Sequence, residues 1–183
     1  GAAHNIALRQ SLATHSDFHL VVNPDIVFLS EVLEQMSTFM QQHADVALLS
    51  PRVLSPNGQL QYLAKRLPHP SDLLLRRFLP QSIGKAKREE FYLKSTGYDK
   101  IMNVPYLTGC FMFLRVSALA QIGLFDERYF MYPEDIDLTR RLHAHYLTLY
   151  YPHASVIHDH AKASYKSLKM LVIHVVRSEE HTS

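Results

Sequence analysis

The sequence predicts an α/β fold in which a sheet is flanked by helices. Apolar runs of strand length alternate along the chain with segments whose apolar residues recur at helical spacing. The first such run, at residues 18–22, is rich in valine and has the character of a buried strand. The composition agrees with this fold class, because 183 residues with 47% hydrophobic and 20% charged content can bury one globular core.

The elements follow one another in a regular order through the first third of the chain. We predict a helix near residues 2–13, the strand at 18–22 and a helix from about 30 to 43. The second helix carries an apolar stripe at helical spacing, formed by Val32, Leu33, Met36, Phe39 and Met40. A strand at 46–49 comes next, and Pro-Asn-Gly at 56–58 predicts a turn.

Residues 67–103 form the least regular segment. Its apolar stretch at 73–80 precedes a basic cluster at 85–88. Such a pattern fits peripheral contact with an anionic membrane surface, where each nearby lysine or arginine contributes about 1 kcal/mol. The alternative is an ordinary solvated insertion that contains a short core-packing helix.

Later in the chain, three acidic residues begin a predicted helix. Glu134, Asp135 and Asp137 fall on its first turn, where unpaired N–H groups and the helix dipole favour negative charge, and the helix is predicted to run to about Tyr146. Helix capping needs only one or two acids. Three of them, framed by the aromatic residues Tyr129, Phe130 and Tyr132, favour a site where a carboxylate takes a proton from a bound hydroxyl. Capping alone remains the alternative.

Asn23-Pro24-Asp25 follows the end of the strand at 18–22. Ligands of open α/β sheets bind outside the carboxyl ends of strands, so Asp25 lies where a ligand-binding acid is expected. A carboxylate there can hold a hard divalent cation that also binds phosphate oxygens. The alternative is a simple turn, since all three residue types favour turns.

A pair of histidines lies near the end of the predicted series of helices and strands. His158 and His160 would share one face of a strand, and one of them could complete a metal site begun by Asp25. With twelve histidines in the chain, a chance pair is the alternative. The single cysteine, Cys110, excludes a thiolate-rich zinc site and a disulfide framework, and it suits a reducing compartment. We expect Cys110 to be a small buried hydrophobe on a strand at 111–114.

Six blocks in this order resemble family 2 glycosyltransferases, and most of all their rhamnosyltransferase-like branch. The resemblance covers residues 1–176. The blocks are residues 1–8 (GAAHNIAL), 20–25 (LVVNPD), 109–115 (GCFMFLR), 123–127 (GLFDE), 132–138 (YPEDIDL) and His158.

The resemblance implies a GT-A fold and an inverting, metal-dependent transfer from a nucleotide sugar. Asp135 matches the catalytic base and Glu134 its supporting acid. Asn23 and Asp25 occupy the family's DxD motif, with Asn23 in place of the first acid. Asp25 and His158 would hold Mn²⁺ or Mg²⁺.

The resemblance also implies the substrate contacts. Asn5, Asn23 and Asp25 would contact the donor diphosphate, and the acceptor side would comprise Gly109, Cys110, Asp137 and Arg140. From its residues alone, Arg140 fits either an ion pair with Asp137 or a diphosphate. The implied donor is a dTDP- or UDP-sugar, with rhamnose as the expected sugar. The implied acceptor is a glycan or polyprenyl-diphosphate-linked saccharide, at the cytoplasmic face of a bacterial envelope.

In the family, further strands that hold the nucleoside precede the segment matched by residues 1–8. Residues 1–176 are therefore expected to be a partial domain without those strands, and inactive by itself. Residues 177–183 resemble a translated sequencing adapter and are expected to be a non-native tail. Two alternatives to the enzyme are a non-catalytic sugar- or nucleotide-binding module and a metal-dependent phosphohydrolase, which would need more acids. The formal charge of +2 does not predict a nucleic-acid partner.

Overall fold

The computed structural model of the chain describes residues 1–67, 85–129 and 133–159. Within these ranges it has five α-helices, a short 3₁₀ helix and eight strands. The helices are α1 (Ala2–Ala13), α2 (Ser30–Gln42), α3 (Lys85–Phe91), α4 (Val116–Ile122) and α5 (Pro133–His143). The strands are β1 (Phe18–Val22), β2 (Ile26–Val27), β3 (Val46–Leu54), β4 (Ala64–Lys65), β5 (Met102–Asn103), β6 (Tyr106–Leu107), β7 (Phe111–Arg115) and β8 (Leu147–His158).

The main sheet has the strand order β1-β7-β3-β8-β2, with β5 also paired to β8. Strands β3 and β8 are parallel, whereas β7 is antiparallel to both β1 and β3. Strands β1, β3 and β8 therefore run in the same direction, and their carboxyl ends share one edge with the beginning of β7. Strands β4 and β6 form a separate two-stranded ribbon.

Helices pack on both faces of the main sheet, which explains why a central strand such as β7 is apolar on both faces. Leu48 and Met112 point into a core shared with α1, α4 and α5. Their chain neighbours Leu49 and Phe113 point into a second core shared with α2. This period-two division confirms the predicted α/β class, with a central sheet flanked by helices.

Two strands are longer than the sequence predicted. Strand β3 continues to Leu54 and β8 begins at Leu147, because the two strands pair along their length. Pro51 and Pro152 interrupt the apolar pattern, and the register of the pair shifts at Pro51. Helix α5 ends at His143, three residues before the predicted end, because the chain must turn to enter β8.

Several predictions concern residues outside the described ranges. These are the apolar stretch at 73–80, Phe130, Tyr132, His160 and the tail at 177–183. The basic cluster at 85–88 opens helix α3. Among the described residues, no helix has the length and apolar content needed to cross a membrane.

Candidate active site

The carboxyl edge of the sheet gathers most of the predicted site residues. Strand β1 pairs with β7 so that Val22 lies opposite Phe111. One residue further on, the backbone N–H of Asn23 donates to the carbonyl of Cys110 at 2.9 Å. The residue that follows β1 is therefore hydrogen-bonded to the residue that precedes β7. This contact joins the Asn-Pro-Asp turn to the Gly-Cys segment.

Asp135 lies beside this contact, on the first turn of α5, and is only 8% exposed. Its Oδ2 accepts a 2.7 Å hydrogen bond from the Gly109 N–H, and its Oδ1 accepts one of 2.8 Å from the Ile136 N–H. Burial raises the pKa of the Asp135 carboxyl to about 6, although both hydrogen bonds lower it. Such a carboxylate is ionised at neutral pH and still able to accept a proton during a reaction.

The two residues before β7 approach Asp135 closely. A Cβ added to Gly109 would lie 3.0 Å from the Asp135 Cβ, so only glycine fits there without a shift. Cys110 is buried, and burial raises the pKa of its thiol to about 12. The thiol therefore stays protonated at neutral pH, which agrees with the prediction that Cys110 is a small buried hydrophobe.

Glu134 precedes Asp135 and is half-buried. Its Oε2 is buried and has no hydrogen-bond partner among the described residues. The charge of Glu134 raises the pKa of Asp135, although less than burial does. The charge of Glu134 therefore acts on Asp135 at the start of α5.

Asp25 and His158 meet through strand pairing. The short strand β2 pairs antiparallel with β8, which places Ile26 opposite His158. The backbone N–H of Asp159 also donates to the carbonyl of Asp25 at 3.1 Å. As a result, Asp25 Oδ1 lies 3.3 Å from His158 Nε2, and His158 is almost fully buried.

Gln61, which sequence reasoning missed, orients this histidine. Its Nε2 donates to the His158 carbonyl at 2.8 Å and to Ser55 Oγ at 3.2 Å. Since a carbonyl can only accept, this contact fixes the amide orientation and leaves Gln61 Oε1 to accept from His158 Nδ1 at 3.2 Å. With the proton on Nδ1, the lone pair of Nε2 faces the carboxylate of Asp25. Two facing acceptors favour a cation near them, either a proton or a metal ion.

This pair does not form a complete metal site by itself. In the described ranges, no group of three or more histidine, cysteine or acidic side chains could hold an ion. Asp25 and His158 supply one carboxylate oxygen and one imidazole nitrogen. They fit a divalent cation whose other ligands come from substrate or water.

Asn5, which was predicted to contact the donor diphosphate, makes its hydrogen bonds within the protein. It is 2% exposed, and its amide donates to the Phe125 carbonyl and to Glu127 Oε1, both at 2.8 Å. Its Oδ1 accepts from the Phe125 N–H at 3.1 Å. The side chain is therefore hydrogen-bonded within the protein, where it connects α1 to residues 125–127. The predicted contact of Asn5 with the donor diphosphate stays a prediction.

Of the two alternatives for Arg140, the ion pair with Asp137 is not formed among the described residues. Asp137 pairs instead with Arg141, one helical turn away, at 2.7 Å. Arg141 reaches past α5 to donate to the carbonyls of Ile122 and Leu124 at 3.0 and 2.7 Å. These additional hydrogen bonds explain why Arg141 is the partner of Asp137, while Arg140 is exposed. The predicted acceptor contacts of Asp137 and Arg140 stay predictions.

A groove of about 1030 Å³ lies away from these residues, between α2 and the strands β2 and β8. Its lining is largely apolar and includes Val27, Phe39, Tyr151 and Ile157. None of the predicted site residues lines it. The groove is therefore not part of the candidate site that contains the carboxylates at the sheet edge.

Known proteins similar to the chain are sugar transferases. Over 153 residues it is 29% identical to N-acetylglucosaminyl-diphospho-decaprenol L-rhamnosyltransferase of Mycobacterium tuberculosis, which covers 81% of this chain and 48% of that protein. Over 139 residues it is 28% identical to rhamnosyltransferase WbbL of Escherichia coli, with 74% and 49% covered. Over 141 residues it is 30% identical to the low-salt glycan biosynthesis hexosyltransferase Agl10 of Haloferax volcanii, with 75% and 41% covered.

The chain spans about half the length of the curated relatives it matches. No protein-family model matches it. The mixed sheet with helices on both faces is compatible with a Rossmann-like glycosyltransferase. The curated homologues of the chain are rhamnosyl- and hexosyltransferases, and this similarity supports its place among glycosyltransferases.

Proposed function

We propose that the chain carries the catalytic base and the metal ligands of an inverting family 2 glycosyltransferase with a GT-A fold. The proposed enzyme moves a hexose, with rhamnose as the preferred sugar, from a dTDP- or UDP-sugar to a glycan or polyprenyl-diphosphate-linked acceptor. The observation that carries this proposal is Asp135, a buried carboxylate with a pKa of about 6 at the carboxyl edge of the sheet.

The proposed reaction needs one base. A sugar hydroxyl is a weak nucleophile, so Asp135 accepts its proton while the oxygen attacks the anomeric carbon. The bond from that carbon to the nucleoside diphosphate breaks on the opposite side, which inverts the configuration. Glu134 supports the base by raising the pKa of Asp135. Cys110, with a thiol pKa of about 12, does not compete as a nucleophile.

Asp25 and His158 are the proposed ligands of a Mn²⁺ or Mg²⁺ ion. Their facing acceptor atoms, 3.3 Å apart, and the orientation of the ring by Gln61 support this assignment. When bound, a divalent ion would act as a Lewis acid that stabilises the charge of the leaving diphosphate. Asn23, exposed on the same turn, is the proposed amide contact to that diphosphate.

The acceptor side rests on Gly109 and Cys110, which lie beside the base, and on the exposed Arg140. The mycobacterial relative is named for a diphospho-decaprenol substrate. We propose a similar lipid-linked acceptor for this chain, at the cytoplasmic face of a bacterial membrane in cell-surface polysaccharide synthesis. Peripheral contact through the basic helix α3 would fit that location.

The test is nucleoside diphosphate release by a chimera in which this chain replaces the matching residues of the mycobacterial relative. It would be assayed with dTDP-, UDP- and GDP-sugars, with Mn²⁺ or with a chelator. We expect metal-dependent release from one donor, and we expect Asp135→Asn to abolish it while donor binding is retained.

Two outcomes would count against the proposal. Equal loss of donor binding in Asp135→Asn would reject Asp135 as the base. Donor binding without any release by the folded, unmodified chimera would favour the non-catalytic sugar- or nucleotide-binding alternative.

A further inference from the structure

Thr139 belongs to none of the motifs that the sequence predicted, and it lies on α5 one helical turn after Asp135. It is fully buried, and its helix neighbours Leu138 and Leu142 belong to an apolar core. A threonine hydroxyl inside a helix can donate to a carbonyl of the preceding turn. The Thr139 Oγ1 donates instead to the carbonyl of Leu107, on β6, at 3.3 Å. This hydrogen bond therefore joins α5 to β6 inside the core.

A second hydrogen bond joins the same two segments. Two residues after Leu107, the Gly109 N–H donates to Asp135 Oδ2 at 2.7 Å. Asp135 and Thr139 are four residues apart on a helix, a rise of about 6 Å. Leu107 and Gly109 are two residues apart, a span of at most about 7 Å. Because these spacings are comparable, both bonds form together in one register. A shift of α5 by one residue would turn it by about 100° and break both.

The hydroxyl of Thr139 adds direction to this contact. The Gly109 bond alone does not fix the helix, since the Asp135 side chain can rotate about its own bonds. In apolar surroundings an aliphatic side chain at position 139 would need no hydrogen-bond partner. A buried hydroxyl without a partner is costly, so Thr139 opposes any arrangement of α5 in which its bond to Leu107 is lost.

We infer that Thr139 is a positioning residue for the proposed transfer: its bond to Leu107 sets the register of α5 that brings the Asp135 carboxylate into place. This inference rests on the proposed function, because it assigns Thr139 a role in placing the base. A base must lie within hydrogen-bond reach of the hydroxyl that it deprotonates. Thr139 is buried and acts through Asp135, so it affects the rate of transfer without contacting the substrate.

The direct test is hydrogen exchange of the Gly109 amide in the chain itself. Thr139→Val keeps a β-branched side chain and removes the hydroxyl. We expect the Gly109 amide to exchange about tenfold faster in this variant, because α5 is held less firmly against it. Thr139→Ser keeps the hydroxyl and should leave the exchange rate close to that of the unmodified chain. Exchange of the β7 amides measures the global stability of each variant, and the Gly109 rate is corrected for it.

Thr148→Val is the matched control. Thr148 is also fully buried, and its Oγ1 donates to the Val104 carbonyl at 2.6 Å. The same oxygen accepts a 2.7 Å hydrogen bond from Nδ1 of His143, the last residue of α5. The control therefore removes a buried hydroxyl that contacts the far end of the same helix. We expect the corrected exchange rate of Gly109 to stay unchanged in it.

A corrected Gly109 rate in Thr139→Val that matches the control would overturn the inference, and this result does not depend on any transfer reaction. Failure of the proposed function would appear instead as absent nucleoside diphosphate release by the unmodified chimera. In an active chimera, Thr139→Val should lower kcat by about tenfold with the donor KM unchanged, and Thr139→Ser should restore kcat. An equal loss of kcat in Thr139→Ser would also overturn the inference, because serine keeps the hydroxyl.

Discussion

Gly109 and Asp135 are held together by a 2.7 Å hydrogen bond from the Gly109 N–H to the Asp135 carboxylate. The same contact leaves no room for a side chain, since an added Cβ would lie 3.0 Å from Asp135 Cβ and 3.2 Å from Oδ2. The segment before β7 therefore determines where the proposed base sits. Substitutions of Gly109 and of Asp135 should therefore distinguish effects on catalysis from effects on stability.

Gly109→Ala should displace the Asp135 carboxylate. We expect kcat of the chimera to fall by about 100-fold, because a displacement of about 1 Å is enough to misplace a base. Gly58→Ala is the control, since its φ of +79° makes alanine strained while nothing lies within 4 Å of the added Cβ. It should lower the melting temperature without lowering kcat. An unchanged kcat in folded Gly109→Ala would contradict the assignment.

The stability of Asp135→Asn relative to the unmodified chain should rise between pH 4 and pH 8. The folded state raises the pKa of Asp135 from 3.8 to about 6, so ionised Asp135 opposes folding. This unfavourable contribution to the free energy of folding is absent below about pH 4. It is complete above about pH 6, where it reaches at most about 3 kcal/mol. Relative to the unmodified chain, the asparagine variant should therefore gain up to that amount between pH 4 and pH 8.

Urea unfolding of both proteins at pH 4 and pH 8 measures this difference. An equal difference in the free energy of unfolding at the two pH values would show that the ionisation of Asp135 does not oppose folding.

Gln61→Leu should weaken divalent-cation binding. Gln61 orients the His158 ring and fixes its tautomer, and loss of such a group lowers metal affinity by about 10–100-fold. Titration calorimetry with Mn²⁺ gives the affinity, and Gln59→Leu is the control because that side chain is exposed. If Gln61→Leu bound Mn²⁺ as tightly as the control, His158 would not be a ligand oriented by Gln61.

Asn5→Ala should destabilise the fold by about 1–3 kcal/mol. The substitution removes buried hydrogen bonds to Phe125 and leaves its backbone groups without their partner. Arg9→Ala is the control, since Arg9 makes an exposed ion pair with Glu127 that should contribute less than about 1 kcal/mol. Thermal melts compare the two. Loss of donor binding by an Asn5→Ala variant that is folded and as stable as the unmodified chain would support the predicted donor contact of Asn5.

Much of the fold could be predicted because it depends on local patterns. Helices α1 and α2 and strand β1 match their predicted bounds closely, and α2 and β1 each contain the apolar pattern typical of their element. The full length of β8 could not be predicted. Its pairing with β3, more than ninety residues away in sequence, sustains the strand across Pro152.

The sequence by itself determined helices α1 and α2, strands β1 and β7 and the place of the acids of α5, because periodicity and helix-end chemistry are local properties. Only the tertiary structure decided which side chains meet. It brought Asp25 to His158, Gly109 to Asp135 and Gln61 to the imidazole ring. These contacts depend on strand order and register, which distant parts of the chain fix together when they bury both faces of one sheet.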